Sequence, residues 1–460
     1  MKRPTKLYEG NMRKKYFLFA VPLILSALLS QSYNFINSMM IGNFLGSEAF
    51  AATAVTAQLI EFINSIFFGY LTGVGIYVSV LFGKNEPERM YNVIKLNFFI
   101  TSLFAITISI ICNLFCHQIF DLLNVSDEVY KNAELYFRTY FAGMIFFQFN
   151  WGFTYISNGM GMTNMPLIAS VVSGIFNVLL NFLFLGVLGK GIGYSSFATV
   201  IATSIVTVFY FISYKKIFKN MGIRSRKIKF NKEDLKASFS YGGPSMFQQM
   251  TMYCSTVFVS PLVNLCSTAA ISGYAIANKA QTLILAVYQN SSKANTNFIA
   301  QAMGAKKINK IKQGIKIGIT QGLAFFGVTL AIFIIFAKPF TGLFLDPVKD
   351  AESFEVSVNI IRFLFPLLIF NVFNNLFHGI FRAIGSGMLM FISTLVYALS
   401  FVLYAYILFS FLPQEMKIYG VHLALGSAYI TEMIFTSIIF ATGKWKTAEY
   451  KKLEKTTKEF

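Results

Sequence analysis

Hydrophobic segments alternate with short polar segments along the whole chain, and this pattern predicts membrane-spanning helices. A bilayer core about 30 Å thick requires roughly 20 apolar residues per helix. We predict twelve spans and therefore an all-α, polytopic membrane protein with twelve transmembrane helices. The spans cover residues 16–41, 52–82, 96–116, 133–157, 166–188, 195–214, 239–265, 270–303, 314–336, 354–381, 389–411 and 420–442.

The longest polar segment between two spans, Lys215–Lys236, divides the chain into two halves. It carries nine lysines and arginines but only two acids, Glu233 and Asp234. The domains predicted on this basis are an N-terminal six-helix lobe at 1–214, a basic linker at 215–237, a C-terminal six-helix lobe at 238–442 and a basic tail at 443–460.

Basic residues concentrate in alternate polar segments, which predicts the orientation of the chain. Thirty of the 39 lysines and arginines fall in the two ends, the linker and the loops on the same side, whereas Asp121, Asp127 and Glu352 lie in the other loops. Positive residues beside membrane spans stay in the cytoplasm. We therefore predict a multi-pass protein of the plasma membrane with both termini cytoplasmic. We also expect its basic face to attract anionic lipid.

The two halves resemble each other at a nearly constant offset, which indicates a duplication. Pro22 and Pro244 begin the apolar parts of the first and seventh spans, 222 residues apart. Gly83 and Gly304 precede basic loops, 221 residues apart. An even number of spans in each half makes both halves enter from the same side, so we predict two pseudo-symmetric lobes related as parallel repeats.

Composition excludes several classes of protein. Of the 460 residues 55% are hydrophobic and 13% charged, and the mean hydropathy is +0.59, whereas a soluble protein has about 25% charged residues. The net charge of +19 lies mostly in short loops, so we predict no nucleic-acid partner. The four cysteines form no CxxC pair and only three histidines are present, so no metal site is predicted. Enzyme motifs such as HExxH are absent, and we predict a protein that is not an enzyme.

Several motifs occur in order through the spans and carry a family resemblance. They are FINSMMIGNFLG at 35–46, FGYLTGVG at 68–75, YGGPSMFQQ at 241–249, GYAIANKAQ at 273–281 and NFIAQAMGAKK at 297–307. With the duplicated twelve-span pattern, they resemble the multidrug and toxic compound extrusion (MATE) family of secondary transporters, over nearly all of the chain from Pro22 to Thr442. The resemblance implies two lobes and a central cavity. It also implies that a small organic substrate is exported against inward H⁺ or Na⁺ flow, with no other cofactor. We expect a monomer.

The acids that the family commonly carries are uncharged in this chain. The first span has Asn37, the fifth has Asn177 and Asn181, and the tenth has Asn371 at these positions. The seventh-span position falls at about Met252. An amide takes up no proton at an accessible pH, although its carbonyl oxygen still coordinates a cation. The resemblance therefore leaves the driving ion open between H⁺ and Na⁺.

Ionisable residues inside spans are costly, and we take them as candidates for the coupling site. Lys279 and Lys293 are fourteen residues apart and share one face of the eighth helix. Low dielectric disfavours a charged amine, so we predict that Lys293 titrates in place of the missing acids. Two readings stay open for each carboxylate. Glu61 is a cavity group or an interface-level charge, and Glu432 is a buried site or a shallow helix end.

Polar residues beside these groups complete the candidate set. One polar stripe at helical spacing lies in the tenth span and consists of Asn371, Asn374, Asn375 and His378. His378 is either a titrating group or a packing residue with satisfied hydrogen bonds. Gln58 stands beside Glu61, and Gln248 belongs to the seventh-span motif.

A second function fits the same residues. Lys279 and Lys293 also suit a lipid-linked saccharide or lipid flippase of the same superfamily, because such flippases have basic cavities. Dye efflux in an efflux-deficient host, beside rescue of a flippase-deficient strain, separates the two functions.

The orientation is open to a direct test. In a variant without the four native cysteines, Ser225→Cys and Asp127→Cys should react with impermeant thiol reagents from opposite sides of the membrane, because basic loops stay in the cytoplasm. Labelling of both positions from outside intact cells would contradict the twelve-span topology.

Overall fold

The computed structural model describes residues 4–122, 125–223 and 228–458, and every regular element in these ranges is helical. Twelve long helical segments follow one another in the described chain, and a tail helix comes after them. We label them α1 Met12–Gly46, α2 Glu48–Lys84, α3 Pro87–Leu114, α4 Asp127–Ala142 with Met144–Gly159, α5 Asn164–Val187, α6 Gly193–Asn220, α7 Lys232–Asn264, α8 Thr268–Gly304, α9 Ile308–Ile335, α10 Ala351–Ile384, α11 Gly387–Phe411, α12 Gln414–Ala441 and α13 Ala448–Lys458.

The all-α, twelve-helix prediction is confirmed. Each predicted span begins inside its helix and ends inside it or within two residues beyond its end. Within the described ranges, nine of the helices are long and apolar enough to cross a membrane; the other three long segments are α4, α7 and α8. These three carry more polar residues, including Gln248 in α7 and Lys293 in α8.

The helices run further than the apolar segments, which shortens the predicted linker. Helix α6 continues to Asn220 and α7 begins at Lys232, so the basic residues at both ends of 215–237 are helical. Residues 224–227, which include Ser225, lie outside the described residues.

Interruptions recur at matching places in the two halves. Helix α4 is broken at Gly143, and α10 changes to a π-helix at Ile360–Leu364 and a 3₁₀-helix at Phe365–Leu367. Short helices, Cys116–Leu122 and Ala337–Thr341, follow α3 and α9. The offsets of about 221 residues equal those of the sequence repeat. This agreement supports the duplication.

Packing groups the described chain into two compact units. The first contains Leu25–Met246, and the second contains Leu7–Ile24 together with the chain from Phe247 onward. Two of the changes of unit, after Ile24 and after Met246, occur two residues after a helix proline, Pro22 in α1 and Pro244 in α7. A proline removes a backbone hydrogen bond from a helix interior. The predicted domain boundaries at 214 and 237 stay a prediction, because a repeat is defined by sequence rather than by packing.

A buried ion pair holds the start of α7 within the first unit. Asp234 is 2% exposed and accepts a hydrogen bond from Nε of Arg89 at 2.7 Å and one from the Tyr77 hydroxyl at 3.2 Å. One turn later Ser238 accepts from the Asn97 amide at 2.9 Å. A buried charge is destabilising unless it is paired, so these contacts stabilise this part of α7 within the first unit.

The start of α1 is held within the second unit by contacts to α8. The Tyr16 hydroxyl donates to the carbonyl oxygen of Ser291 at 2.6 Å, and the backbone N–H of Leu7 donates to Oε1 of Gln301 at 2.9 Å. Both polar groups of α8 are buried, and these bonds satisfy them without water.

The tail helix α13 is held by aromatic packing and by one carboxylate. Trp445 stacks on Phe440 with ring centroids 4.8 Å apart and is in contact with Tyr450. Glu454 accepts from Nζ of Lys446 at 2.8 Å and lies 3.6 Å from Nζ of Lys312. The hydrogen bond from Lys446 holds the pKa of Glu454 below its ordinary value of 4.5.

The depressed pKa predicts acid release of the tail helix. A carboxyl group with a lowered pKa in the folded state stabilises it above the ordinary value, and this contribution disappears as pH falls through the folded value. Fluorescence of Trp445 in a Trp151→Phe variant should therefore change below about pH 4.5. Glu454→Gln should show the released signal already at pH 7. Glu415→Gln, which removes an exposed carboxylate, is the control and should behave like the parent; an unchanged signal in Glu454→Gln would contradict the assignment.

Candidate coupling site

A carboxylate and an imidazole lie side by side within the second unit. Glu432 of α12 is 3% exposed and His378 of α10 is 7% exposed. Nε2 of His378 lies 3.2 Å from Oε1 of Glu432, off the direction of an ideal N–H···O bond. In the described part of the chain, no other ion pair is made by Glu432. The pair is a candidate proton site, because ionisable groups inside membrane helices are rarely structural.

The other carboxylate oxygen is held by α10. Nδ2 of Asn374 donates to Oε2 of Glu432 at 2.8 Å and to the carbonyl oxygen of Tyr429 at 3.0 Å. The Thr436 hydroxyl is 3.4 Å from Oδ1 of Asn374. These bonds orient Asn374 and fix the carboxylate against α10. Such a network, with its members mutually satisfied, favours one register between the two helices.

The far side of the imidazole contacts α7. Nε2 of Gln248 is 3.0 Å from Nδ1 of His378, and Oε1 of Gln248 accepts from Nη2 of Arg382 at 2.6 Å. Arg382 is one helical turn after His378 on α10. A continuous chain of contacts therefore runs from Glu432 through His378 and Gln248 to Arg382.

A second polar layer lies earlier on α10, between that helix and α8. Nδ2 of Asn371 donates to the Tyr288 hydroxyl at 2.7 Å, and Nδ2 of Asn375 donates to Oδ1 of Asn371 at 2.8 Å. Ser292 donates to the carbonyl oxygen of Asn375 at 2.8 Å. Gly379 permits this close packing, because a Cβ there would collide with the Thr296 side chain of α8.

The predicted amides of the first unit form a separate cluster. Nδ2 of Asn177 donates to the Thr199 hydroxyl at 2.9 Å, and Nδ2 of Asn181 donates to the carbonyl oxygen of Asn177 at 2.9 Å. The Ser195 hydroxyl of α6 is 3.3 Å from Oδ1 of Asn37. The residues named in this cluster carry no charge. The cluster supplies carbonyl oxygens that suit a cation but no group that titrates near neutral pH.

The remaining predicted residues lie apart from these two clusters. Gln58 and Glu61 are exposed on α2, where Glu61 is near the hydroxyls of Tyr136 and Tyr140. On α8, Lys279 is exposed with Nζ 5.8 Å from the Phe344 ring centre, and Lys293 is half-buried. Within the described residues, no ion pair joins Lys293 to a carboxylate. The proposed titration of Lys293 stays a prediction.

Comparison with known proteins identifies the family. The MatE family model matches residues 22–183 and 244–442. The chain belongs to this family. It is therefore a multi-pass membrane transporter and not an enzyme.

Curated relatives and solved structures agree with this MatE assignment. The probable multidrug resistance protein YoeA of Bacillus subtilis is 28% identical over 347 residues, which cover 74% of this chain and 75% of YoeA. YpnP of the same bacterium is 24% identical over 447 residues, 95% of this chain and 97% of YpnP. A MOP-superfamily transporter structure from Pyrococcus furiosus has a TM-score of 0.88 at 20% identity, covering 97% of this chain and 100% of its own. That likeness shows the fold.

Several residues of the MatE protein's site were not among the predicted ones. Arg382 follows His378 by one turn, so the helical spacing that revealed the polar stripe also reaches it. Ser195 and Thr199 come from α6, and no local pattern connects them to their partners. Across the described residues, no group of three or more His, Cys, Asp or Glu residues is placed to hold a metal ion.

The Asn371–Tyr288 hydrogen bond should contribute measurably to stability. Tyr288→Phe leaves the buried Asn371 amide with one unsatisfied N–H, which costs about 1–3 kcal/mol. The midpoint of thermal unfolding of the purified transporter should fall by a few degrees. Tyr194→Phe, on an exposed side chain of α6, is the matched control. Equal midpoints for the two variants would show that this bond contributes nothing.

Proposed function

We propose that this MatE transporter is a secondary active antiporter that exports small organic compounds across the plasma membrane in exchange for inward-moving protons. The organic compound and the proton are exchanged by alternating access. The observation that carries the proposal is the buried Glu432–His378 pair, 3.2 Å apart inside the second unit. The names of the two Bacillus subtilis relatives, both probable multidrug resistance proteins, support drug-like organic substrates.

The chemistry of the pair favours a proton over sodium. A carboxylate beside an imidazole is a pair that binds and releases a proton. Sodium, a hard cation, requires a shell of oxygen ligands. Here one oxygen of Glu432 faces an imidazole nitrogen and the other accepts an amide N–H. These neighbours are directed toward an anion and not toward a cation. Uptake of one proton by the pair neutralises the carboxylate's charge inside the membrane.

The amide cluster of the first unit is the second candidate for the driving ion. Oδ1 of the fully buried Asn181 has no hydrogen-bond partner among the described residues. An unsatisfied carbonyl oxygen is a possible sodium ligand. A site made only of amides and hydroxyls binds a cation without a compensating charge, so we place the driving force at the second unit.

The orientation of the transporter in the membrane and its lipid surroundings follow from the distribution of its basic residues. Both termini face the cytoplasm in this proposal, because the basic loops are on that side. The lysines of α13 then lie at a cytoplasmic surface where anionic lipid is attracted. The transporter functions as a monomer.

Transport by purified protein in liposomes tests the proposal. A pH gradient should drive accumulation of ethidium or of a neutral or anionic dye, and a sodium gradient at constant pH should not. Glu432→Gln keeps a hydrogen-bonding side chain but cannot titrate. It should reduce pH-driven transport by about tenfold or more, the scale of a coupling free energy of 1–3 kcal/mol.

Two variants are matched controls in the same assay. Glu61→Gln removes an exposed carboxylate of α2, and Lys293→Gln removes the half-buried amine of α8. With the driving site at Glu432, both should retain pH-driven transport at equal protein levels, whereas the prediction that Lys293 titrates requires its loss in Lys293→Gln. Loss of pH-driven transport in Lys293→Gln with retention in Glu432→Gln would move the coupling site to α8. Sodium-driven transport by the parent protein would overturn the proton assignment. Rescue of a flippase-deficient strain without dye transport would overturn the substrate class.

A further inference from the structure

The orientation of the Gln248 amide follows from its two neighbours. A guanidinium group has only hydrogen-bond donors, so the atom of Gln248 that meets Nη2 of Arg382 at 2.6 Å is the oxygen. The amide nitrogen therefore faces Nδ1 of His378, 3.0 Å away. An NH₂ group donates, which makes Nδ1 the acceptor. Neutral His378 must then carry its proton on Nε2, the atom that faces Glu432.

We propose that Gln248 and Arg382 form a latch, by which we mean a hydrogen bond that is present when His378 is neutral and is broken when His378 is protonated. This inference rests on the proposed proton coupling. A second proton on the imidazole goes to Nδ1, where it meets the donating NH₂ group of Gln248. The two donors are compatible only if the amide turns over and presents Oε1 to Nδ1–H. The turned amide presents its NH₂ group to Arg382, so this guanidinium is released. Protonation of His378 and the Arg382–Gln248 bond exclude each other.

The latch couples a proton site to the end of a helix. Arg382 is in the last turn of α10, three residues before Gly385, whose φ of 88° ends the helix. The same Nη2 atom contacts Sδ of Met390 on α11 at 3.0 Å. Release of Arg382 therefore removes one of the contacts between α7 and the α10–α11 turn. Gln248 and Arg382 act as positioning residues, since the proton resides on His378 and Glu432.

Among the described residues, the charged and titratable groups around the His378–Glu432 pair are few. Helix α12 contributes Glu432 and Tyr429, α11 contributes Tyr397, α8 contributes Tyr288, and α10 itself contributes Arg382. Helix α9 meets α10 at Gly322 beside aliphatic side chains, and α7 supplies the uncharged Gln248. Lys293 of α8 makes no ion pair with Glu432 in the described chain. Arg382 is thus the cation that the latch holds or releases.

Nitrogen NMR of ¹⁵N-histidine-labelled transporter in liposomes tests the latch without a transport assay. The spectrum of His378 is obtained by difference from a His378→Gln sample. Neutral His378 should show the Nε2–H tautomer.

Gln248→Glu replaces the amide donor that faces His378 with a carboxylate, which accepts from both His378 and Arg382. The pH midpoint of double protonation should rise by about one unit, a tenfold change in proton affinity. Gln249→Glu places the same charge one residue along α7 and is the matched control.

A double-mutant cycle separates the latch from simple charge repulsion. Arg382→Gln removes a cation near His378, so it should raise the pH midpoint of His378 double protonation whether residue 248 is Gln or Met. With Gln248 present it also frees the amide to turn, so the rise should be larger than in a Gln248→Met background. Arg362→Gln, twenty residues earlier on α10, is the control for loss of an arginine. The pH profile of dye transport should shift in the same direction as the NMR midpoint.

Three results would overturn the latch. They are an Nδ1–H tautomer in neutral His378, equal shifts for Gln248→Glu and Gln249→Glu, and equal effects of Arg382→Gln in the Gln248 and Gln248→Met backgrounds. These results leave proton coupling intact if the parent protein still transports dye with a pH gradient. Failure of the proposed function would give a different result: the parent protein would show no pH-driven transport, whatever the NMR titration shows.

Discussion

A polar side chain inside a membrane helix has little water to bind, so its hydrogen bonds go to its own helix or to a neighbouring one. In the described helices, several buried polar groups are satisfied by a neighbouring helix. Asn374 and the Tyr288 hydroxyl satisfy groups on helices other than their own, and Asp234 is matched by Arg89. Each such bond specifies a rotation and a depth for two helices at once. Dispersion packing of phenylalanine and leucine is compatible with many registers, whereas a buried hydrogen bond between fixed residues is compatible with few.

The two repeats differ in which polar side chains they bury between helices. Their helices are interrupted at matching positions, at Gly143 in α4 and at Phe365–Leu367 in α10. Yet the polar cluster of the first unit consists of amides and hydroxyls, and that of the second contains Glu432 and His378. Backbone breaks are retained because they shape the helix, whereas side-chain chemistry changes without altering the fold. The repeats are thus alike as scaffolds and different as chemical sites, which is why we assign the driving ion to the second.

In this proposal, protonation of His378 acts on the conformation through the side chains in direct contact with it. His378 lies between the carboxylate of Glu432 and an amide whose orientation is set by Arg382. An amide has one donating end and one accepting end, so it transmits a change in protonation without gaining or losing a proton itself. Tight packing at Gly379 holds α10 against α8, so a rearrangement of side chains is favoured over one of the backbone at this level.

The sequence by itself determined the helical class, the number of helices, their approximate bounds and the duplication. These properties depend on the length and spacing of apolar segments, which are local in the chain and follow from the thickness of a bilayer. It also pointed to Glu432, His378 and the polar stripe of α10, because an ionisable residue within an apolar segment is visible without a fold.

Tertiary structure alone decided which of these residues meet. Glu432 and His378 are 54 residues apart and Gln248 is 130 residues from His378, so no spacing rule connects them. The same holds for Leu7–Ile24, which packs with the second unit although it begins the first repeat. Lys293, the residue favoured by its position in the chain, lies outside the contact network of the carboxylate. Helix periodicity shows which face a residue occupies, but the partner across that face depends on how the helices pack.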